Sequence, residues 1–255
     1  MRREEAEMPQ EPQEAREGAV SVVDASIEAQ NARWTFGGKL AEHFEEHIER
    51  SVPRYREGHE IVAALSDFFV SRDSVVHELG CSTGALTRRL AEWNAGKGAR
   101  FVGLEVEPEM VGAARRACAG FDEVEIRQAD VLVEELEPAD MIVSYYTIQF
   151  VRPARRQQLF DKIYESLNWG GAFVMFEKVR GPDARFQDIV STLYADFKLE
   201  QGFGPEEIVN KTRSLKGVLE PFSTQGNLDL MARAGFVDRM TVFKHLCFEG
   251  FLAIK

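Results

Sequence analysis

The sequence is poor in cysteine and histidine and has no long apolar run. Three cysteines, Cys81, Cys118 and Cys247, are scattered over 255 residues with no C-x-x-C spacing. That excludes a disulfide scaffold and a zinc ribbon, and it fits a reducing, cytoplasmic setting. No apolar stretch approaches the ~18 residues a membrane-spanning helix needs. The opening Met1-Arg2-Arg3-Glu4-Glu5 carries no apolar segment of the kind a secretory signal requires. Basic residues are in deficit, 31 against 42 acids, for a net charge of −11. Such a field repels phosphate at long range, which argues against a nucleic-acid partner and for a small-molecule substrate. The 44% hydrophobic content is that of an ordinary globular chain.

Residues 1–20 are charged, contain two prolines and hold almost no apolar side chains, the pattern of a disordered acidic tail. Residues 21–255 read as one ligand-binding domain. Within it, residues 21–70 show helical spacing of Phe44, Ile48, Ile61, Leu65 and Phe68, broken at Pro53, and form an expected helical lid. From Ser74 short apolar runs alternate with helical patterns. Strands are expected at 75–79, 100–105, 124–128, 141–145 and 172–177, with helices at 83–93, 107–119 and 153–167. This alternation predicts an α/β, Rossmann-like fold with a mostly parallel sheet and helices on both faces. Residues 181–221 interrupt the rhythm as a helical insertion. A helix at 228–234 and an antiparallel pair, 236–243 and 247–254, complete seven strands.

The sharpest local signal is Glu78-Leu79-Gly80-Cys81-Ser82-Thr83-Gly84 at the first strand-to-helix turn. Gly80 allows a tight turn and Gly84 a close backbone approach to a ligand. Glu105 ends the next strand, where an acid can accept both hydroxyls of a ribose. Asp130, at the end of the third strand, is placed to accept from an adenine amino group. The loop lacks the G-x-G-x-x-G spacing that seats a pyrophosphate. A phosphate-free nucleoside fits better, and S-adenosylmethionine is one. Two other readings use the same residues. One is a tight turn with no ligand. The other is a G-x-S-x-G nucleophile elbow with Ser82 attacking, for which the only later histidine is His245.

Other patterns carry less. His43-Phe44-Glu45-Glu46-His47 matches a zinc-hydrolase spacing but sits in an acidic amphipathic stretch, read as a solvated helix face with no metal. Trp34, Phe36, Tyr55, Tyr145 and Tyr146 offer aromatic faces to a sulfonium, or pack as core. Arg152, Arg155 and Arg156 crowd a helix start and are read as facing water. Cys118 and Cys247 are read as core.

Several segments together resemble one family. They are Trp34-Thr35-Phe36, Arg50-Ser51-Val52-Pro53-x-Tyr55, Leu79-Gly80-Cys81-Ser82-x-Gly84, Thr147-x-Gln149-Phe150, Leu159-x-Asp161-Lys162-Ile163-Tyr164, Leu167-Asn168-x-Gly170-Gly171 and Asp196-Phe197-Lys198. Over roughly residues 33–255 the chain resembles the carboxy-S-adenosyl-L-methionine synthases, enzymes of the class I methyltransferase fold. The resemblance implies S-adenosylmethionine as cofactor, prephenate as co-substrate, a role in tRNA wobble-uridine modification, and a homodimer with the inserted helices at its interface. With the loop reading, it implies a cofactor-binding set of Tyr55, Glu78, Gly80, Cys81, Ser82, Gly84, Glu105, Val106, Asp130, Val131 and Tyr145. Glu105 stands where the family usually has Asp, and Tyr145 where it has Asn. Ungapped alignment of Lys211-Thr212-Arg213-Ser214 puts Thr212 at the family's carboxylate-clamping Arg, with Arg213 one residue later.

The expected activity is in-line methyl transfer from S-adenosylmethionine to a small acceptor, releasing S-adenosylhomocysteine, with His59, Tyr146 and Glu177 as candidate bases. Trp34, Tyr55 and Arg213 are candidate substrate contacts. The alternative is carboxy-S-adenosylmethionine synthesis with Arg213 as the clamp. A non-catalytic binding module and the Ser82 hydrolase complete the alternatives.

Overall fold

The computed structural model describes residues 40–255. Two helices lead in, α1 (Leu40–Ser51) and α2 (Tyr55–Ser66). They are separated by Val52-Pro53 and by Arg54 in a left-handed conformation (φ 58°). Strands and helices then alternate: β1 (Val75–Leu79), α3 (Ala85–Trp93), β2 (Arg100–Glu105), α4 (Pro108–Ala117), β3 (Val124–Gln128), β4 (Ala139–Tyr145), α5 (Pro153–Ser166) and β5 (Leu167–Lys178). Two inserted helices follow, α6 (Ala184–Glu200) and α7 (Pro205–Ser214). Then come α8 (Thr224–Ala234), β6 (Asp238–His245) and β7 (Phe248–Ile254). Pro108 and Pro153 stand at first-turn positions, where a missing N–H costs nothing, and Gly235 (φ 119°) ends α8.

The seven-stranded sheet has the order β3-β2-β1-β4-β5-β7-β6. The first five strands are parallel, and β7 runs antiparallel to β5 and β6. Successive residues point to opposite faces and build two cores. Ile142, Phe173 and Met175 pack with Phe160, Ile163 and Phe236 on one face. Met141, Val143, Val174 and Phe176 pack with Val62, Leu86 and Leu90 on the other. Burial on both faces explains why these strands read as nearly continuous apolar runs. The expected α/β fold, with seven strands in a mostly parallel sheet, is observed. β5 begins at Leu167, five residues before its expected start, because Leu167 already pairs with Ala139 and Gly170 donates to the Lys255 carbonyl.

Successive strands are added outward to one side from β1 to β3 and to the other side from β4, so the strand order switches between β1 and β4. A crevice opens at such a switch point, outside the carboxyl ends of the strands, and ligands bind there. α2 belongs to the helical layer: Val62 and Ala63 are fully buried, and Arg89 of α3 grips Glu60 through two bonds of 2.8 and 2.6 Å. α1 instead lies over the crevice, where Glu45 accepts from the Thr83 hydroxyl at 3.4 Å.

Candidate active site

A cavity of about 1310 Å³ occupies the switch point. Its floor is the row of carboxyl strand ends, and its roof is formed by α1, α6 and α7. In sheet order the floor reads Asp130 after β3, Glu105 on β2, Glu78 on β1, Tyr145 ending β4 with Tyr146 just after it, and Lys178 on β5. Adjacent strands lie ~4.8 Å apart, so β2 to β5 spans about 14 Å. Along that distance the lining changes from acidic to aromatic to cationic.

Glu105 is held by three backbone donors. Its Oε2 accepts from Ser82 N–H at 2.8 Å, and its Oε1 from Val106 N–H at 2.8 Å and Glu107 N–H at 3.0 Å. A carboxylate offers about four acceptor directions, so roughly one stays open toward the cavity. Ser82 adopts a left-handed conformation (φ 50°) to aim its N–H at Glu105, a strained geometry of the kind found at ligand sites. Gly80 (φ 75°) must be glycine, since a Cβ would overlap the Thr147 side chain. Asp130 Oδ1 accepts from Leu132 N–H at 2.8 Å, and Lys162 ties down the same loop through the Val131 and Glu134 carbonyls.

Glu78 is buried and accepts from the Thr87 hydroxyl. Burial, reinforced by the neighbouring Glu105, pushes its carboxyl up to about 8, despite the Thr87 bond. Beside it Tyr145, Tyr146 and Tyr55 form an aromatic wall. The Tyr145–Tyr146 ring centroids are 4.8 Å apart and the Tyr55–Tyr145 centroids 5.2 Å. The Tyr145 hydroxyl donates to the Tyr55 carbonyl at 2.6 Å, fixing the two rings together. Tyr146 is left-handed (φ 60°), pinned by its N–H to the Phe176 carbonyl at 2.8 Å. Burial raises the titration of all three hydroxyls above the usual phenol range.

The expected residues Tyr55, Glu78, Gly80, Cys81, Ser82, Glu105, Val106, Asp130, Val131, Tyr145 and Tyr146 all line this one cavity. Others do not. Gly84 caps α3, and a Cβ there would press on Ala114 and Cys118 at 3.1 Å, so the glycine serves helix packing rather than ligand approach. His59 is buried behind the aromatic wall, 4.7 Å from the Tyr55 and Tyr145 ring centroids, and burial lowers it to about 4. Glu177 lies beneath the cavity, fully buried, and is pushed up to about 8 by burial. Arg213 is exposed and outside the lining, whereas Lys211 of the same turn is buried in it and Thr212, itself exposed, borders it. Trp34 and Phe36 lie outside the described residues.

Other expectations shift as well. Arg156 does not face water: it is buried, donates to the Val151 and Gln149 carbonyls and covers the Phe222 ring at 4.4 Å. His47 is not on a solvated face but buried against Lys211. Cys118 and Cys247 are buried, and Cys247 also lines the cavity. The sequence reading missed Lys178, Lys198 and Lys211, which line the cavity from three separate elements.

A methyltransferase-domain family profile matches residues 76–171, the span from β1 into β5. The chain is 36% identical over 224 residues to the carboxy-S-adenosyl-L-methionine synthase of Staphylococcus epidermidis, covering 88% of this chain and 97% of that protein. It belongs to the carboxy-S-adenosyl-L-methionine synthase family. The enzyme of the same name from Sulfurimonas denitrificans is 34% identical, covering 88% of this chain and 95% of its own. Among solved structures, human N-acetylserotonin methyltransferase in complex with SAM shares the fold at a TM-score of 0.56 and 18% identity, covering 91% of this chain and 65% of that one. The family member described here is an S-adenosylmethionine-dependent transferase on a Rossmann-like methyltransferase fold.

Proposed function

We propose that this enzyme binds S-adenosylmethionine across the strand ends and carboxylates its methyl carbon in the carboxy-S-adenosylmethionine synthase reaction: the methyl carbon gives up a proton and gains the carboxyl group that prephenate releases as its ring aromatises with loss of hydroxide, leaving phenylpyruvate and water. The observation that carries this reading is the change of lining along the cavity floor. The adenine falls to Asp130 and Val131, the ribose to Glu105, and the sulfonium to the Tyr55, Tyr145 and Tyr146 wall, whose ring faces attract cations. Glu78 is positioned for the ammonium of the methionine part. Beyond the wall the lining turns basic, with Lys178, Lys198 and Lys211 inside and Arg152, Arg155 and Arg180 toward the mouth. A neutral acceptor has no need of such a field, whereas a carboxylate-bearing one does.

S-adenosylmethionine supplies a methyl carbon activated by the attached sulfonium. The chain's own part is to hold the methyl carbon beside the carboxyl group to be transferred, exclude water and fix charge. Roofing by α1, α6 and α7 serves the second of these. Tyr146, alone of the three candidate bases, lines the cavity, and its buried hydroxyl stays protonated at neutral pH, so it acts as a donor. Plain methyl transfer to a small acceptor is the second reading. Thr212 in place of the family's clamping Arg favours it.

The same reading treats residues 21–255 as one S-adenosylmethionine-binding unit with a lid at 21–70 and the 181–221 insertion. It includes a homodimer: Phe186, Ile189 and Leu193 form an exposed stripe on the outer side of α6. It also places the enzyme in the cytoplasm, where three buried free thiols stay reduced. The test is the mass of the nucleoside that co-purifies with the protein. A carboxylated sulfonium supports the synthase, and S-adenosylmethionine or S-adenosylhomocysteine alone supports plain methyl transfer.

A further inference from the structure

Two lysine ammoniums meet at one aromatic ring. Lys178 Nζ, from the end of β5, lies 4.1 Å from the Tyr194 ring centroid, and Lys198 Nζ, one helical turn along α6, lies 4.9 Å from it. Phe248 backs Lys178 at 5.9 Å and Phe203 backs Lys198 at 5.9 Å. Tyr194 itself is fixed, its hydroxyl donating to the Ser51 carbonyl of α1 at 2.8 Å. Both ammoniums line the cavity. Lys211 joins them on the roof but is bonded to Ser51 Oγ at 2.9 Å and to His47, and so braces α1 against α7.

Ring faces replace only part of the water an ammonium loses on burial. Lys178 is in no ion pair with a carboxylate of the described residues, and burial lowers its titration below the usual lysine range. Its neighbour Glu177 points to the opposite face of the strand and is buried there. A carboxylate placed at this ring lies within reach of ammoniums from two separate elements. The pair stands above β5, one strand spacing of ~4.8 Å from the β4 tyrosines. A carboxylate held there is next to the sulfonium.

We propose that Lys178 and Lys198 bind the carboxylate of the co-substrate, replacing the guanidinium that position 212 lacks. This assignment rests on the synthase reading for the identity of the co-substrate. Two ammoniums from separate elements grip a carboxylate at two oxygens, as a forked guanidinium does from one side chain.

The test uses enzyme saturated with S-adenosylhomocysteine, which cannot turn over, titrated with prephenate in a calorimeter. The wild type is expected to bind prephenate. Lys178→Met and Lys198→Met are each expected to weaken that binding by about tenfold or more, the loss of one charged hydrogen bond. Affinity for S-adenosylhomocysteine stays within about twofold, and Lys178→Arg restores most of the prephenate binding. If Lys178→Met does not fold, Lys198→Met decides. Undiminished prephenate binding in the Met variants overturns the assignment. So does a loss confined to S-adenosylhomocysteine, or a wild type that binds no prephenate. Lysine-dependent prephenate binding without any carboxylated product upholds the lysine site and removes the synthase reading. Carboxylated product formed at wild-type rates by both Met variants does the reverse.

Discussion

The Ser82 amide donates a 2.8 Å hydrogen bond to Oε2 of Glu105, so the loop after β1 and the acid ending β2 are one unit before any ligand arrives. Under the proposed binding mode the ribose would meet a carboxylate whose orientation is already set. Glu105→Ala is expected to lower S-adenosylmethionine affinity by about 10- to 100-fold, the worth of a hydrogen bond to a charged group. Glu105→Asp keeps the charge and is expected to retain most of the affinity. Calorimetric titration of both variants checks this.

Glu78 and Glu177 titrate near 8 in the fold, against 4.5 for an ordinary glutamate. The native state thus holds more protons than the unfolded chain between those values. The stability these groups contribute is complete below about pH 4.5 and is lost as pH rises through 8. Melting temperature is expected to fall between pH 6 and pH 9. Glu78→Gln, which mimics the neutral form, is expected to flatten that fall by a few degrees in thermal melts.

Gly58 of α2 packs against the aromatic wall. A Cβ there would overlap the Tyr145 hydroxyl and stand 3.2 Å from the Phe176 ring. Gly58→Ala is expected to cost about 1–3 kcal/mol by overpacking and to break the Tyr145–Tyr55 bond. The melting temperature and the S-adenosylmethionine affinity should drop together.

Thr212 lines the cavity, its hydroxyl donating to the Ile208 carbonyl at 2.7 Å, while Arg213 does not line it. Thr212→Arg is expected to place a guanidinium inside and to tighten binding of an anionic product by about tenfold. Arg213→Ala is expected to leave that binding unchanged. Product dissociation rates of the two variants separate these outcomes.

An Ile189→Asp substitution places a charge in the middle of the exposed α6 stripe. If that stripe is the subunit interface, the variant sediments as a monomer at concentrations where the parent is a dimer.

Much of this site was legible in the sequence because it hangs on strand ends. Glu105 and Asp130 could be placed from the spacing of βα units alone, and Gly80 from the turn that follows β1. Residues whose position depends on how distant elements lean together were not legible. Lys178, Lys198 and Lys211 come from β5, α6 and α7, and a lysine in a charged helix reads as solvated until the helix is seen roofing a cavity. His47 and Arg156 are hidden for the same reason: charged helix faces turn inward where α1 meets α7 and where α5 meets the loop after β4. His59 and Gly84 mislead in the opposite sense. Each sits one layer behind the site, where its packing partners rather than a ligand explain its identity.

The central claim, that the acid-to-cation floor lets S-adenosylmethionine take a carboxyl group from an anionic partner, meets its most direct test in one turnover experiment. Purified enzyme is incubated with S-adenosylmethionine and prephenate, and the nucleoside mass is followed over time. A nucleoside heavier by one carboxylate, appearing only when both are present, is the predicted result. Unchanged S-adenosylmethionine after many hours, with prephenate intact, would contradict the account.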